Sequence, residues 1–138
     1  MGVTIIGPNR EISIGYIGFM KFRIAIAKLC PAEIRDHYMY LIDNNFLWHS
    51  DEEIVEEYDK KTEEIYEKYK KKYGKVINFL YACDCGAKFS YGTCGQLLDV
   101  IGDYDDDLVY GQQYNVTFKD LKNLLVDCYE HKKQLRWF

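Results

Sequence analysis

Apolar positions recur along this chain with two different periods. Near the start they alternate: Val3-Thr-Ile-Ile6 and Glu11-Ile-Ser-Ile14 are short runs rich in β-branched residues on either side of Gly7-Pro-Asn-Arg10, which predicts a hairpin. From Phe19 the period becomes helical. On a wheel of residues 19–30, Lys21, Ala25 and Lys28 share one narrow stripe, while Phe19, Phe22, Ile26, Leu29 and Cys30 cover the opposite side, so this helix should be buried over most of its surface. Arg23 falls inside the apolar arc, beside Ala27 and Cys30. Pro31 suits the first turn of a second helix running roughly to Phe46, with Ile34, Tyr38, Leu41 and Ile42 toward the core. Ser50 and Glu53 have capping-box spacing, and a third helix should follow to Tyr73 with Ile54, Tyr58, Ile65 and Tyr69 on its apolar side.

Gly74 reads as a break. The segment Val76–Ala82 is a short apolar helix or a buried strand, too brief for periodicity to decide. Ser90 or Thr93 offers the cap of a fourth helix, and Gln96 stands three residues after Thr93, which predicts a start near Thr93. Leu97, Leu98, Val100 and Ile101 would carry its apolar side to a stop at Gly102. After a polar loop over 111–115, Thr117 and Asp120 cap a last helix with Phe118, Leu121, Leu124, Leu125 and Cys128 on its buried face. The closing Gln134-Leu-Arg-Trp-Phe138 alternates like a short strand that joins the N-terminal hairpin. With no repeat or linker, residues 1–138 should form one domain of α+β class, mainly helical: about five helices around the buried helix at 19–29, with a small antiparallel sheet from the chain ends.

Composition narrows this picture. The chain has 138 residues, 48% apolar, with thirteen tyrosines and seven phenylalanines to fill a core and keep polar tips at its edge. No apolar run approaches the ~20 residues that span a bilayer, and no leader-like segment opens the chain, so no membrane partner and a cytoplasmic location are expected. A net charge of −4 argues against sequence-independent nucleic-acid binding. The run Lys68–Lys75, interleaved with Tyr69 and Tyr73, is better read as the basic end of a helix that starts with Glu52, Glu53, Glu56 and Glu57. Five cysteines is an odd number, which favours reduced thiols over a disulfide framework.

Candidate chemistry is concentrated between residues 83 and 114. Cys83, Cys85 and Cys94, with Cys128 or a histidine, could be proposed as a zinc set, but a single residue between Cys83 and Cys85 is tighter than zinc sites use. Neither a metal nor a cofactor is therefore expected. Cys94 lies near a helix start, where a thiol is activated, yet His37, His49 and His131 are all remote in sequence. Asp103, Asp105 and Asp107 match the opening of an EF-hand loop, but Leu108 and Tyr114 occupy its glycine and glutamate positions. These carboxylates would follow a helix C-terminus, where negative charge is unfavourable. A guanidinium on an apolar arc needs acceptors, so Arg23 is expected to be a structural residue paired with a carboxylate of Asp103–Asp107. Gly15 and Gly18, with Lys21 and Arg23 close by, form either a strand-to-helix corner or an anion-binding turn.

The segments Gly15-Tyr-Ile-Gly-Phe19, Phe22-Arg23, Ser90-Tyr-Gly-Thr-Cys94 and Asp103-Tyr-Asp-Asp-Asp107 together resemble small proteins of low-GC Gram-positive bacteria and their phages and prophages. The resemblance spans most of the chain and implies context, not activity: an accessory protein of a mobile element that binds a host protein or a defence-signal nucleotide. It carries no catalytic residue. From the residues themselves, the favoured expectation is binding without chemistry, in which an acidic, tyrosine-rich surface of Asp103, Tyr104, Asp105, Asp106, Asp107, Tyr110 and Tyr114 meets a basic partner protein. Two alternatives stand beside it. One is capture of a nucleotide or phosphate by Gly15, Gly18, Lys21 and Arg23; the other is a cysteine- or metal-dependent enzyme.

Overall fold

The computed structural model describes residues 2–44, 51–111 and 115–138, and in it the two ends of the chain meet in one sheet. Strands β1 (Gly2–Ile6) and β2 (Glu11–Gly15) lead into helices α1 (Tyr16–Lys28), α2 (Ala32–Asp43) and α3 (Glu52–Tyr81). There follow β3 (Ala87–Phe89), α4 (Tyr91–Ile101), β4 (Val109–Gly111), β5 (Val116–Thr117), α5 (Phe118–His131) and β6 (Leu135–Trp137). The result is a mainly helical α+β protein. Its antiparallel sheet has the order β2-β1-β6-β3, with Ile5 opposite Trp137 and Phe89 opposite Leu135. The hairpin and its closing strand follow the alternation of the sequence. Strand β3 and the small ribbon β4–β5 were not foreseen, because two or three residues are too few to show a period.

Helix α1 is the central element that its wheel predicts. Gly18, Phe19, Phe22, Arg23, Ile26 and Ala27 are buried, and the aromatic core is built on two of them. Phe19 meets Trp137 at 5.0 Å and Phe79 at 6.4 Å, while Phe22 meets Phe118 at 5.6 Å, all edge-on. Such pairs add ~0.5–1.5 kcal/mol each beyond their burial. At the other end of the chain, the capping box of Thr117 and Asp120 forms as the sequence indicates.

Helix α3 departs most from expectation. Its helical assignment runs unbroken from Glu52 to Tyr81, yet the hydroxyls of Tyr58 and Tyr81 are 2.9 Å apart across 23 residues. A straight helix would hold those two Cα atoms about 34 Å apart, beyond the reach of two tyrosines. The helix therefore folds back on itself. The cause is visible at Gln96, which accepts from Lys75 N–H at 3.0 Å and donates to Lys71 O at 3.3 Å. These are the two ends of one i→i−4 bond, so the Gln96 amide stands in for the ladder bond at the bend. The break read at Gly74 is thus a reversal within a helix, and residues 76–81 are helical, not a strand.

Gln96 accordingly does not close a capping box with Thr93. Helix α4 starts at Tyr91 with Ser90 as its N-cap, and Thr93 is buried. The N-cap of α3 is Asp51, accepting from Glu53 N–H at 3.2 Å; the cap expected at Ser50 and the second-helix end at Phe46 lie outside the described residues.

Candidate functional site

Arg23 is buried, at 8% exposure, but its acceptors are not the aspartates. Its Nη1 donates to Phe79 O at 3.2 Å, Leu80 O at 3.1 Å and Ala82 O at 2.6 Å, and the guanidinium lies 4.5 Å over the Phe19 ring. These carbonyls end α3, where four C=O groups lack helical partners and the dipole is negative. Arg23 is therefore the cation of that C-terminus, a place the sequence seemed to give to Lys68, Lys70, Lys71 and Lys72. Those lysines lie at and just before the reversal instead, where Lys68 pairs with Glu33 and Lys70 with Glu67. Burial lowers the Arg23 pKa, opposed by Tyr38 and Asp84, and its Nε has no partner among the described residues.

The charge problem at the end of α4 is solved separately, by Lys122 Nζ donating to Gly102 O at 2.6 Å. Freed from Arg23, the aspartates divide into two groups. Asp106 turns inward: its Oδ2 accepts from Tyr104 Oη at 2.9 Å and Tyr110 Oη at 2.5 Å, and its Oδ1 from Leu108 N–H at 3.0 Å. Both tyrosine rings pack on Phe118, at 5.0 and 6.0 Å. Burial, reinforced by Asp106, raises both phenol pKa values. Tyr110 is thus a buried core residue and Tyr104 a half-buried one packed against the core, each with its hydroxyl held by Asp106. Asp103, Asp105 and Asp107 remain exposed, running directly into Leu108 and Val109, which are 62% and 47% exposed. Tyr114 lies outside the described residues.

The glycine corner also separates by role. A Cβ on Gly18 would lie 1.8 Å from Tyr110 O, so glycine is required there by the passage of β4 against α1. Gly15, Gly18 and Lys21 line a cleft of about 530 Å3 together with Ser13, Val109 and Tyr110. Arg23, the fourth residue of the expected anion set, is committed to the end of α3 and lines a different groove. That groove, about 610 Å3, lies beyond Ile17 and includes Tyr16, Met20, Leu41, Ile42 and Asp84. Ile17 lines both depressions and, with Tyr16 and Met20 on the side of the second groove, forms an exposed apolar ridge, at 68%, 40% and 37% exposure. Sequence reasoning missed it because Tyr16 and Ile17 sat in the presumed corner, before the wheel began. The available signal was Ile17, an apolar residue at a helix start that falls on the side of the wheel opposite Phe19 and Phe22.

The cysteines fall into two classes. Cys94 and Cys128 are wholly buried; the neighbouring Cys128 thiol, together with burial, pushes the Cys94 thiol well up, away from nucleophilic character, and Cys128 Sγ itself donates to Gln134 O at 3.8 Å. Burial raises Cys30 to about 12. Cys83 and Cys85 are joined as a disulfide, which corrects the expectation that all five are reduced. Among the described residues no group of three or more His, Cys, Asp or Glu side chains is placed to hold a metal.

His37 serves as a clasp between α2 and α3. Its Nε2 is 2.7 Å from Thr62 Oγ1, its ring stacks on Tyr58 at 3.9 Å, and its carbonyl accepts from Tyr58 Oη at 2.8 Å. His131 stands 3.3 Å from Asp127 Oδ1, and His49 lies outside the described residues. No described helix is long and apolar enough to cross a membrane. No protein-family model, curated protein or solved structure matches the chain.

Proposed function

We propose that this protein acts by binding a partner protein. The docking surface is the ridge of Tyr16, Ile17 and Met20, extended across the neighbouring cleft by Leu108 and Val109 and bordered by Asp103, Asp105 and Asp107. The observation that carries this reading is the exposure of Ile17 at 68% and Leu108 at 62%, on segments that approach one another where Gly18 meets Tyr110. Single exposed apolar side chains are ordinary, but a group rimmed by charge marks an interaction surface. Aliphatic and aromatic anchors supply affinity on desolvation, whereas the exposed carboxylates act at longer range and favour a basic partner. The resemblance to proteins of mobile elements would make that partner a host protein. Small-ligand capture is less favoured, since its cleft keeps Lys21 but not Arg23.

The test is a double substitution, Ile17→Asp with Met20→Asp, compared with the wild type in quantitative capture from host lysate. Both positions are exposed, so the fold should keep its stability within about 1 kcal/mol. Loss of anchors at the centre of an interface should weaken capture by ~30-fold or more. A folded double variant that captures the same partner at wild-type strength would place the interface elsewhere.

A further inference from the structure

Cys30, Cys94 and Cys128 are sealed in the core at 6% exposure or less, whereas Cys83 and Cys85 are exposed and bonded to each other. We propose that the Cys83–Cys85 pair is a redox-active dithiol/disulfide that exchanges with low-molecular-weight thiols. A cross-link across one intervening residue removes little freedom from the unfolded chain, because the gain grows with loop length. This disulfide is thus poorly suited to stapling the fold, and its exposure is the setting of labile, exchanging bonds.

The segment is also held without help from the sulfurs. Arg23 Nη1 grips Ala82 O at 2.6 Å, Trp137 Nε1–H donates to Cys83 O at 2.9 Å, and β3 begins at Ala87. Opening the S–S bond leaves this frame in place. The two sulfurs differ in one respect: Cys85 N–H donates to Cys83 Sγ at 3.1 Å. A donor at that sulfur favours its thiolate, which makes Cys83 the better leaving group. An incoming thiolate attacks Cys85 Sγ. A new S–S bond forms there as the Cys85–Cys83 bond breaks, and the electron pair departs on Cys83 Sγ. A second small thiolate then attacks the outer sulfur of the mixed disulfide, releasing a small-molecule disulfide and leaving Cys85 as a thiolate. The two protein thiolates take up the two protons that the small thiols lost on ionising. Two thiols are oxidised and one protein disulfide is reduced, and a small-molecule disulfide drives the reverse.

The experiment equilibrates the folded protein with reduced and oxidised glutathione at set ratios, quenches it in acid, and tags free thiols for intact mass and peptide mapping. The expected result is reversible gain and loss of two tags, confined to Cys83 and Cys85, with a Tm difference below about 5 °C between the two forms. In Cys83→Ser the resolving thiol is gone, so one glutathione should accumulate on Cys85. The proposal is overturned if the pair resists reduced glutathione until the protein is denatured, if both thiols stay free in oxidised glutathione, or if Cys83→Ser acquires no adduct.

Discussion

Arg23 illustrates how far a single residue could be understood from sequence. Its burial was legible, because its neighbours on the wheel are apolar; its partner was not, because the carbonyls that accept from it are presented only once α3 reverses and ends beside α1. All three bonds run from Nη1, so a compact ammonium with three donors can replace part of the arrangement, whereas a thioether cannot. Arg23→Lys should therefore cost less than Arg23→Met, with Met losing ~2–4 kcal/mol of stability as the α3 carbonyls are left without a cation. Urea denaturation of the two variants checks this. If Met equals or exceeds Lys, Arg23 contributes through packing of its stem and not through the carbonyls. Asp106 carries a similar lesson: one aspartate in a run of like charges is structural because two tyrosine hydroxyls converge on it, and no local pattern distinguishes it from Asp105 or Asp107.

Element boundaries were read correctly where the signal is local, as at the Gly102 stop and the Thr117–Asp120 box. They were misread where a distant side chain intervenes, as Gln96 does in α3. The joint between the β1–β2 turn and α5 is another distant contact, and it is titratable. Asn9 donates its backbone N–H to Asp127 Oδ2 at 2.8 Å and its amide to Oδ1 at 3.0 Å. Burial alone would raise the Asp127 pKa, but the two Asn9 donors, with His131 and Arg10, hold it below the ordinary carboxylate value. A carboxyl whose folded pKa is depressed adds stability that is complete above its unfolded pKa, about 3.9, and is lost as pH falls through the folded value. Thermal unfolding followed below about pH 4 should show a shallower decline for Asp127→Asn than for the wild type, from a lower Tm at neutral pH. Parallel acid limbs would mean that this joint does not contribute through its charge.

At the scale of the whole molecule, the fold class was legible because period and capping are repeated over long segments, while the candidate surface was only half legible. The acidic side was evident from composition. The apolar side depends on α1 passing β4 so closely that only glycine fits at position 18, which brings Ile17 and Val109 to one cleft. The tyrosines that looked like anchors turn out to support this surface from beneath, through Phe118 and Asp106. The most direct measurement is site-specific photo-crosslinking in host lysate, with the photoreactive residue placed at Ile17, at Leu108, or at exposed Glu63 on α3 as a control. The account predicts that positions 17 and 108 trap the same protein, with a yield that falls as salt is raised, and that position 63 does not trap it. Equal trapping from position 63, or different proteins from 17 and 108, would contradict it.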